Sequence, residues 1–143
     1  MNFVLDASVA MSWLFLDAKP ADHAYALKVL NAMKQAETTA LVPVTWGLEI
    51  SNVIAKAENR GLVTEVQSEA FLEMLEAMDI GADRATFSKS LSETLQITRR
   101  YRISAYDASY LELAMREGVP LATLDEDLQK AARKAGVKRF AIV

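Results

Sequence analysis

Short apolar runs alternate with longer segments of helical periodicity from one end of the sequence to the other. The runs that predict strands are residues 3–5, 40–44, 121–124 and 140–143, with a weaker candidate at 79–82. The segments that predict helices are residues 8–16, 22–36, 45–60, 64–78, 86–102, 105–117 and 125–135. Strands that alternate with helices favour right-handed crossovers and a parallel sheet covered on both faces. We therefore expect an α/β fold, a three-layer α/β/α sandwich around a central, mainly parallel sheet of four to five short strands.

Capping signals support several of these helix boundaries. Gly61, Gly118 and Gly136 follow predicted helices where a glycine commonly ends a helix. The sequence TEVQ at 64–67 has the form of a capping box at a helix start. The sequence contains no repeat, low-complexity segment or linker, so we expect a single domain over residues 1–143.

Composition limits the class of protein. The chain has 143 residues, of which 52% are hydrophobic and 24% charged, as in an ordinary globular domain. No apolar run approaches the roughly 20 residues of a membrane helix, and no signal-peptide pattern is present, so we expect a cytoplasmic protein without membrane contact. The absence of cysteine excludes disulfides and thiolate metal sites. A net charge of -3 argues against a surface covered in phosphate-binding groups.

Acidic residues recur where the predicted strands end. Asp6 directly follows the first strand in VLDASV, and Asp125 follows the strand LATL. Glu49 falls in the helix after the strand ALVPV, and Asp107 lies in the first turn of the helix that begins near Ala105. Ligands of such open sheets bind beyond the carboxyl ends of the strands. We therefore expect these four acids to share one edge of the sheet.

Three of these acids have an alternative, structural interpretation as helix caps. Asp125 is followed by two further acids and has the form of an N-cap with an acidic first turn. Asp107 completes a Ser-x-x-Asp capping box with Ser104. Asp6 could cap the helix that starts at residue 7 or 8.

Glu49 has no such interpretation, because it lies on the apolar stripe of its own helix. That stripe consists of Trp46, Ile50, Val53, Ile54 and Ala57. A carboxylate facing the core loses hydration, and no basic residue lies within four positions of Glu49 to pair with it. Asn52 could steady Glu49 by a hydrogen bond but could not neutralise its charge.

Four carboxylates close together at one edge of the sheet repel one another, so we expect a cation among them. Two unit charges about 4 Å apart repel by roughly 4 kcal/mol at an effective dielectric constant near 20. Mg²⁺ and Mn²⁺ prefer carboxylate oxygens and retain water ligands for chemistry. The pattern therefore predicts that a divalent cation holds Asp6 and its neighbours.

Four motifs, in order, resemble those of the PIN-domain ribonucleases, and most closely the VapC-type toxins of toxin-antitoxin pairs. The motifs are VLDASV at the N-terminus, WGLEISNVI around Glu49, SAYDASYLELA around Asp107 and LATLDEDLQKAARKAG ahead of the final predicted strand. The resemblance covers essentially the whole chain and includes all four acids.

The resemblance implies a metal-dependent endoribonuclease that uses Mg²⁺ or Mn²⁺. Asp6 and Asp107 are then the direct metal ligands, and Glu49 and Asp125 complete the catalytic pocket by binding a second ion or orienting water. Attack by water on the phosphorus would leave a 5'-phosphate and a 3'-hydroxyl.

Polar neighbours of the acids have less certain roles. Ser8 and Ser104 could donate hydrogen bonds to water or phosphate, and helix capping explains them equally well. Asp127 is an additional acid, and His23, the single histidine, lies far in sequence from every acidic motif and is not expected to be catalytic.

The family also implies partners, namely an RNA substrate, a cognate antitoxin and a second copy in a homodimer. RNA needs basic groups outside the acidic pocket. The candidates are Arg99, Arg100 and Arg102, and a C-terminal set of Lys130, Arg133, Lys134, Lys138 and Arg139, although such runs are usually solvated helix faces. The segment SWLFL at 12–16 and the stripe of Phe71, Met74, Leu75 and Met78 could be interfaces, but core packing is the simpler interpretation.

Other functions are weaker alternatives. The main one is a catalytically inactive PIN-fold module that binds RNA or protein. A haloacid-dehalogenase-like phosphatase normally needs a second acid where this chain has Ser8. A receiver domain needs an acidic pair and a distal lysine motif that we do not find, and structure-specific DNA nucleases usually carry extra helices for which this chain has no room.

Overall fold

Four parallel strands form one sheet with helices packed around it in the computed structural model, which describes residues 1–15 and 19–141. The strands are β1 (Asn2–Leu5), β2 (Thr39–Val42), β3 (Ile80–Ala82) and β4 (Leu121–Ala122). The helices are α1 (Ala7–Met11), α2 (Pro20–Met33), α3 (Trp46–Asn59), α4 (Glu65–Glu76), α5 (Thr86–Ser90), α6 (Glu93–Tyr101), α7 (Ala105–Glu117) and α8 (Glu126–Lys134). The predicted α/β class with a short-stranded parallel sheet is confirmed.

The order of the strands in the sheet is β3-β2-β1-β4. The chain adds β2 and β3 on one side of β1 and then places β4 on the other side. Val4 of β1 pairs with Leu41 of β2 and with Leu121 of β4. The direction of strand addition therefore reverses between β1 and β4, and ligand sites of open parallel sheets lie at such switch points.

Strand β1 lies at the centre of the core. Phe3, Val4 and Leu5 are all completely buried. Because successive side chains of a strand point to opposite faces, this burial requires packing on both faces of the sheet. The ring of Phe3 stacks on that of Phe140, with 3.9 Å between the centroids.

One side of the sheet confirms the prediction, and the other side differs from it. The weaker candidate at 79–82 is a strand, β3, whereas residues 139–141 do not form a strand. Arg139 makes a single parallel bridge to Leu121, and residues 142 and 143 of the predicted strand lie outside the described residues. The ladder beside β4 is short because β4 has only two residues before the chain turns towards α8.

The predicted helix over 86–102 is two helices, α5 and α6. Ser92 has non-helical dihedral angles of -125° and -99° between them. Three serines in this segment direct their hydroxyls to nearby backbone carbonyls, Ser88 to Ala85 and Ser90 to Phe87 among them. Such bonds compete with helical pairing, which explains the break.

The predicted helix ends are confirmed where strong capping signals occur. Thr64 and Gln67 form the reciprocal capping box of α4, with hydrogen bonds of 2.9 and 3.1 Å. Gly118 ends α7 with a φ of 65°, a left-handed conformation that favours glycine. Helix α1 ends earlier than predicted, at Met11, and Leu16 of that prediction lies outside the described residues. Within residues 1–15 and 19–141, no helix is both long and apolar enough to cross a membrane.

The hydrophobic segments considered as interfaces pack against the core. Trp13, Leu14 and Phe15 are half-buried on it, and the indole N–H of Trp13 donates to the carbonyl of Ala26 at 2.8 Å. In the second stripe Phe71 and Leu75 are buried, and Met74 and Met78 pack beside them. The interpretation as core packing is therefore confirmed for these side chains.

An ion-pair network that the sequence did not suggest fastens α7 to the loop after β3. Arg116 contacts Asp83 through Nη2 at 2.6 Å and Glu112 through Nε at 2.9 Å. Burial works to raise the pKa of Asp83, but hydrogen bonds from Arg116, the Ala85 N–H and Thr86 outweigh it and hold the pKa below its usual value. The network therefore favours the charged form of Asp83 and ties α7 to the loop after β3.

Candidate active site

Asp6, at the carboxyl end of β1, is held by two hydroxyl groups. The Oγ of Ser8 and the Oγ1 of Thr123 each donate to its Oδ2 at 2.6 Å. Asp6 is only 5% exposed and makes no side-chain cap to α1, so the capping interpretation of this residue is wrong. Burial raises its pKa and the two hydroxyls oppose that shift, while the charge of Asp125 adds to the increase.

The two hydroxyls also fasten the end of β4 to the end of β1. The Leu124 N–H donates to Ser8 Oγ and the Asp125 N–H donates to Thr123 Oγ1, both at 3.0 Å. Each hydroxyl thus accepts from the backbone after β4 and directs its single proton to Asp6. In this arrangement the proton of Ser8 is committed to Asp6 rather than to water or phosphate.

Glu49, in the first turn of α3, is half-buried and hydrogen-bonded on one oxygen. Tyr110 donates from its hydroxyl to Glu49 Oε2 at 3.1 Å. The other oxygen, Oε1, is buried and has no hydrogen-bond partner in the part of the chain that the structure describes. Burial, together with the charges of Asp6 and Asp107, raises the pKa of Glu49 to about 7, although the hydrogen bond from Tyr110 works to lower it. Asn52, proposed to steady Glu49, is exposed, and Tyr110 holds Glu49 instead.

Asp107 enters the site from the first turn of α7. Its backbone N–H donates to Ser104 Oγ at 3.1 Å, which confirms Ser104 as the N-cap of that helix. Burial, together with the charges of Asp125, Asp6 and the exposed Asp127, raises the pKa of Asp107 to about 6. The carboxyl of Asp107 therefore lies in the field of acids from two other segments.

Asp125 combines the structural role with its position at the site. Its Oδ1 accepts from the Leu128 N–H at 2.9 Å, so the predicted N-cap of α8 is confirmed. Its charge nevertheless raises the pKa values of Asp6 and Asp107. Capping uses one oxygen and leaves Oδ2 as a second acceptor.

The fold thus brings the four predicted acids to one end of the sheet, around the switch point between β1 and β4. They interact as charges but do not converge on one point. Among residues 1–15 and 19–141, no group of three or more Asp, Glu or His side chains is arranged so that it could hold a metal ion as it stands. Carboxylates repel one another, so closer approach costs free energy unless a cation or proton compensates.

Tyr110 and Thr123 are site residues that sequence reasoning missed. Tyr110 lies one helical turn after Asp107, and Thr123 lies two residues before Asp125. These spacings place both beside predicted acids, and that is the signal that could have identified them. His23 lies in α2 and makes no contribution to the pKa shifts described for the four acids.

The two basic sets lie at different places. Arg99, Arg100 and Arg102 end α6 immediately before Ser104 and the acidic start of α7. Lys138 and Arg139 flank the amino end of β4, because the Lys138 carbonyl accepts from the Leu121 N–H. The first set therefore adjoins the acidic end of the sheet through a short stretch of chain, whereas Lys138 and Arg139 lie at the opposite end of β4.

Comparison with known proteins gives one family and one recurring fold. The model of the family described as PIN domain matches residues 3–134. Ribonuclease VapC3 of Pyrobaculum aerophilum is 27% identical over 128 residues, which span 90% of this chain and 92% of that protein.

Two crystal structures share the fold at lower identity. PAE2754 from Pyrobaculum aerophilum has a TM-score of 0.66 at 20% identity and covers 92% of this chain and 79% of its own. VapBC2 from Rickettsia felis, bound to a DNA fragment from their promoter, has a TM-score of 0.65 at 14% identity and covers 98% of both chains.

Proposed function

We propose that this chain, which belongs to the PIN domain family, is a metal-dependent endoribonuclease and acts as the toxin of a toxin-antitoxin pair. The similarity to Ribonuclease VapC3 supports RNA as the substrate. The observation that carries the proposal is that Asp6, Glu49, Asp107 and Asp125 lie around one switch point, where the charges of Asp6, Asp107 and Asp125 raise the pKa values of neighbouring acids. Four separate segments of the chain contribute these acids.

The chemistry of the site fits a hard divalent cation. Every acidic donor is a carboxylate, the ligand type that Mg²⁺ and Mn²⁺ prefer, and Glu49 Oε1 is a buried acceptor without a partner among the described residues. We assign Asp6 and Asp107 as direct ligands, with Glu49 and Asp125 completing the pocket. When bound, the ion lowers the pKa of water and offsets charge on the phosphoryl oxygens.

The protein's own groups orient the reaction. Ser8 and Thr123 donate to Oδ2 of Asp6 and so oppose the increase in its pKa that burial causes. Tyr110 fixes Glu49, so that Oε1 can accept a hydrogen bond from the attacking water. Water then adds to phosphorus and gives up a proton to Glu49, the bond from phosphorus to the 3' oxygen breaks, and that oxygen takes a proton from solvent, which leaves a 5'-phosphate and a 3'-hydroxyl.

RNA binding is assigned to the arginines at the end of α6. Arg99, Arg100 and Arg102 are exposed and lie within a few residues of Ser104, at the acidic end of the sheet. Phosphate contacts by such side chains position a strand without reading its sequence. The C-terminal basic set is left as a solvated face.

A homodimer and an antitoxin complete the proposed function. Phe87 and Leu91, one turn apart at α5, are 83% and 85% exposed, and we assign this apolar face to the contact between two copies. The Rickettsia felis structure, described as VapBC2, supports a second protein as a partner. The antitoxin would block access to the acidic site.

A catalytically inactive PIN-fold binding module is the second candidate. The observation that favours it is that no three acids within the described residues are arranged to hold an ion as they stand. Such a module would bind RNA or protein without cutting it.

Cleavage of labelled RNA distinguishes the two candidates. The purified protein is incubated with a 5'-labelled RNA in Mg²⁺, Mn²⁺ or EDTA, and the new ends are tested for a ligatable 5'-phosphate. We expect cleavage that requires the ion and disappears in Asp6→Asn. Glu126→Gln, a matched change at an exposed acid of α8, should retain activity. RNA binding without cleavage, or cleavage that survives Asp6→Asn, would refute the assignment.

A further inference from the structure

One buried hydroxyl connects three segments of the site. Tyr110 of α7 is completely buried and follows Asp107 by one helical turn. Its hydroxyl donates to Glu49 Oε2 at 3.1 Å and accepts from the Ala7 N–H, directly after Asp6, at 3.4 Å. A phenol has a single proton, and here that proton is directed at Glu49. Tyr110 therefore joins α7, α3 and the turn after β1.

The two oxygens of Glu49 are not equivalent. Oε2 is satisfied by Tyr110, whereas Oε1 is buried without a partner in residues 1–15 and 19–141. A buried polar atom without a hydrogen bond costs free energy and is an exception that needs a reason. The contact with Tyr110 decides which oxygen of Glu49 is left available to a ligand.

We propose that Tyr110 is a positioning residue, which holds Glu49 by Oε2 and thereby reserves Oε1 for the ion or water of the acidic pocket. The inference rests on the proposed function, since it deepens the role of the same site. Tyr110 acts through Glu49 and contacts neither the RNA nor the ion. Its second bond, to the Ala7 N–H, sets the position of Glu49 relative to the backbone beside Asp6.

The test is Tyr110→Phe, which removes the hydroxyl and keeps the ring. Tyr25→Phe is the matched control, because Tyr25 in α2 donates a hydrogen bond of 2.8 Å to the Phe140 carbonyl, away from the acids. The measurement is the dissociation constant for Mn²⁺ by calorimetry, with thermal unfolding in EDTA beside it. Loss of a group that orients a ligand costs about 10- to 100-fold in metal affinity. We expect that loss in Tyr110→Phe alone, while both variants melt earlier.

A double-mutant cycle separates positioning from general loosening of the core. If Tyr110 acts through Glu49, Tyr110→Phe should weaken Mn²⁺ binding in the wild type but add nothing to Glu49→Gln. An equal loss in both backgrounds overturns the proposal. If Tyr110→Phe does not fold, Glu49→Asp takes its place in the test. The shorter side chain keeps the negative charge but moves it away from the Tyr110 hydroxyl. Wild-type Mn²⁺ affinity in Glu49→Asp overturns the proposal in the same way.

The outcomes distinguish this inference from the proposed function. Wild-type protein that neither binds Mn²⁺ nor cuts RNA overturns the proposed function itself. Wild-type protein that does both, with Tyr110→Phe indistinguishable from Tyr25→Phe in Mn²⁺ affinity, overturns only the role of Tyr110.

Discussion

Thr123 donates a hydrogen bond of 2.6 Å to Asp6 across a separation of 117 residues in the chain. Ser8 donates to the same oxygen, so two hydroxyls support the ionised form of an acid that is 5% exposed. Hydrogen bonds to a carboxylate are stronger than those between neutral groups and oppose the cost of its burial. The charge state of Asp6 thus depends on Ser8 in α1 and on Thr123, which directly follows β4.

Replacing Thr123 with valine should destabilise the protein by about 1–3 kcal/mol, because Asp6 loses a donor and the Asp125 N–H loses its acceptor. Urea unfolding measures the change. Thr98→Val is the control, since the Thr98 hydroxyl donates only within α6, to the Thr94 carbonyl at 3.1 Å. Equal losses in the two variants would contradict a special role for the bond to Asp6.

Divalent ions should raise the melting temperature by binding the folded state. At 100 times the dissociation constant the stabilisation is about 2.7 kcal/mol, which corresponds to several degrees for a chain of this size. Asp6→Asn and Asp107→Asn should lose the increase, and Glu126→Gln should keep it. An unchanged melting temperature of the wild type in millimolar Mg²⁺ and Mn²⁺ would count against a shared site.

The metal-free protein should lose stability as the pH rises. The pKa of Glu49 is about 7 in the folded chain against 4.5 for the free side chain, and that of Asp107 is about 6 against 3.8. Between these values the folded state binds more protons than the unfolded state, so protons stabilise it. The contribution is complete below the unfolded pKa values and is lost as the pH passes the folded ones.

Melting temperatures in EDTA between about pH 5 and pH 8 measure this loss. Glu49→Gln should flatten the upper part of the curve, because the amide does not titrate. A slope identical to that of the wild type would show that Glu49 is not the group responsible.

Removing the charged group of Arg116 should destabilise the folded protein more than most substitutions at partly exposed positions. Arg116→Met leaves Asp83 and Glu112 without their cation, which should lower the free energy of unfolding by about 3–5 kcal/mol. Adding Asp83→Asn and Glu112→Gln should recover much of the loss, because neutral amides tolerate burial better. Urea unfolding tests both steps, and Arg133→Met, at an exposed position in α8, is the control. A loss no larger than that of the control would contradict the prediction.

If Phe87 and Leu91 form the contact between two copies, a single charged substitution at either position should abolish the dimer. Light scattering should give a dimer for the wild type and a monomer for Phe87→Glu or Leu91→Glu, since a charge on that face opposes its burial. Leu62→Glu, at a 65% exposed position after α3, should remain dimeric. A monomeric wild type would end the assignment.

The fold was predictable from the sequence where local and global signals agree. Alternating strand and helix patterns predicted the parallel sheet, and the boundaries of α7 were predicted residue for residue from Ser104 and Gly118. The predicted helix is broken at Ser92 because serine hydroxyls compete for backbone carbonyls. Hydrophobic periodicity carries no information about that competition. Among the described residues of the predicted final strand, 140 and 141 do not form one, because β4 beside them has only two residues, a property of the assembled sheet.

The sequence predicted which acidic residues form the site, but it did not predict the hydrogen bonds that Tyr110 and Thr123 make to them. Placement after strands brought the four acids to the same end, and Asp125 proved to be a cap as well, because a carboxylate has two oxygens. Tyr110 on an apolar helix face is indistinguishable in sequence from an ordinary core residue. Its role depends on where its hydroxyl lies after folding, as does that of Thr123.

The position of β4 beside β1 determines when the site can exist during synthesis. A ribosome releases Asp6 first, whereas Thr123 and Asp125 follow only after the sheet's other strands have been translated. A nascent chain without β4 holds Asp6 next to an open strand edge, with neither the second hydroxyl nor the fourth acid. Terminated products that lack β4 therefore contain no assembled acidic site.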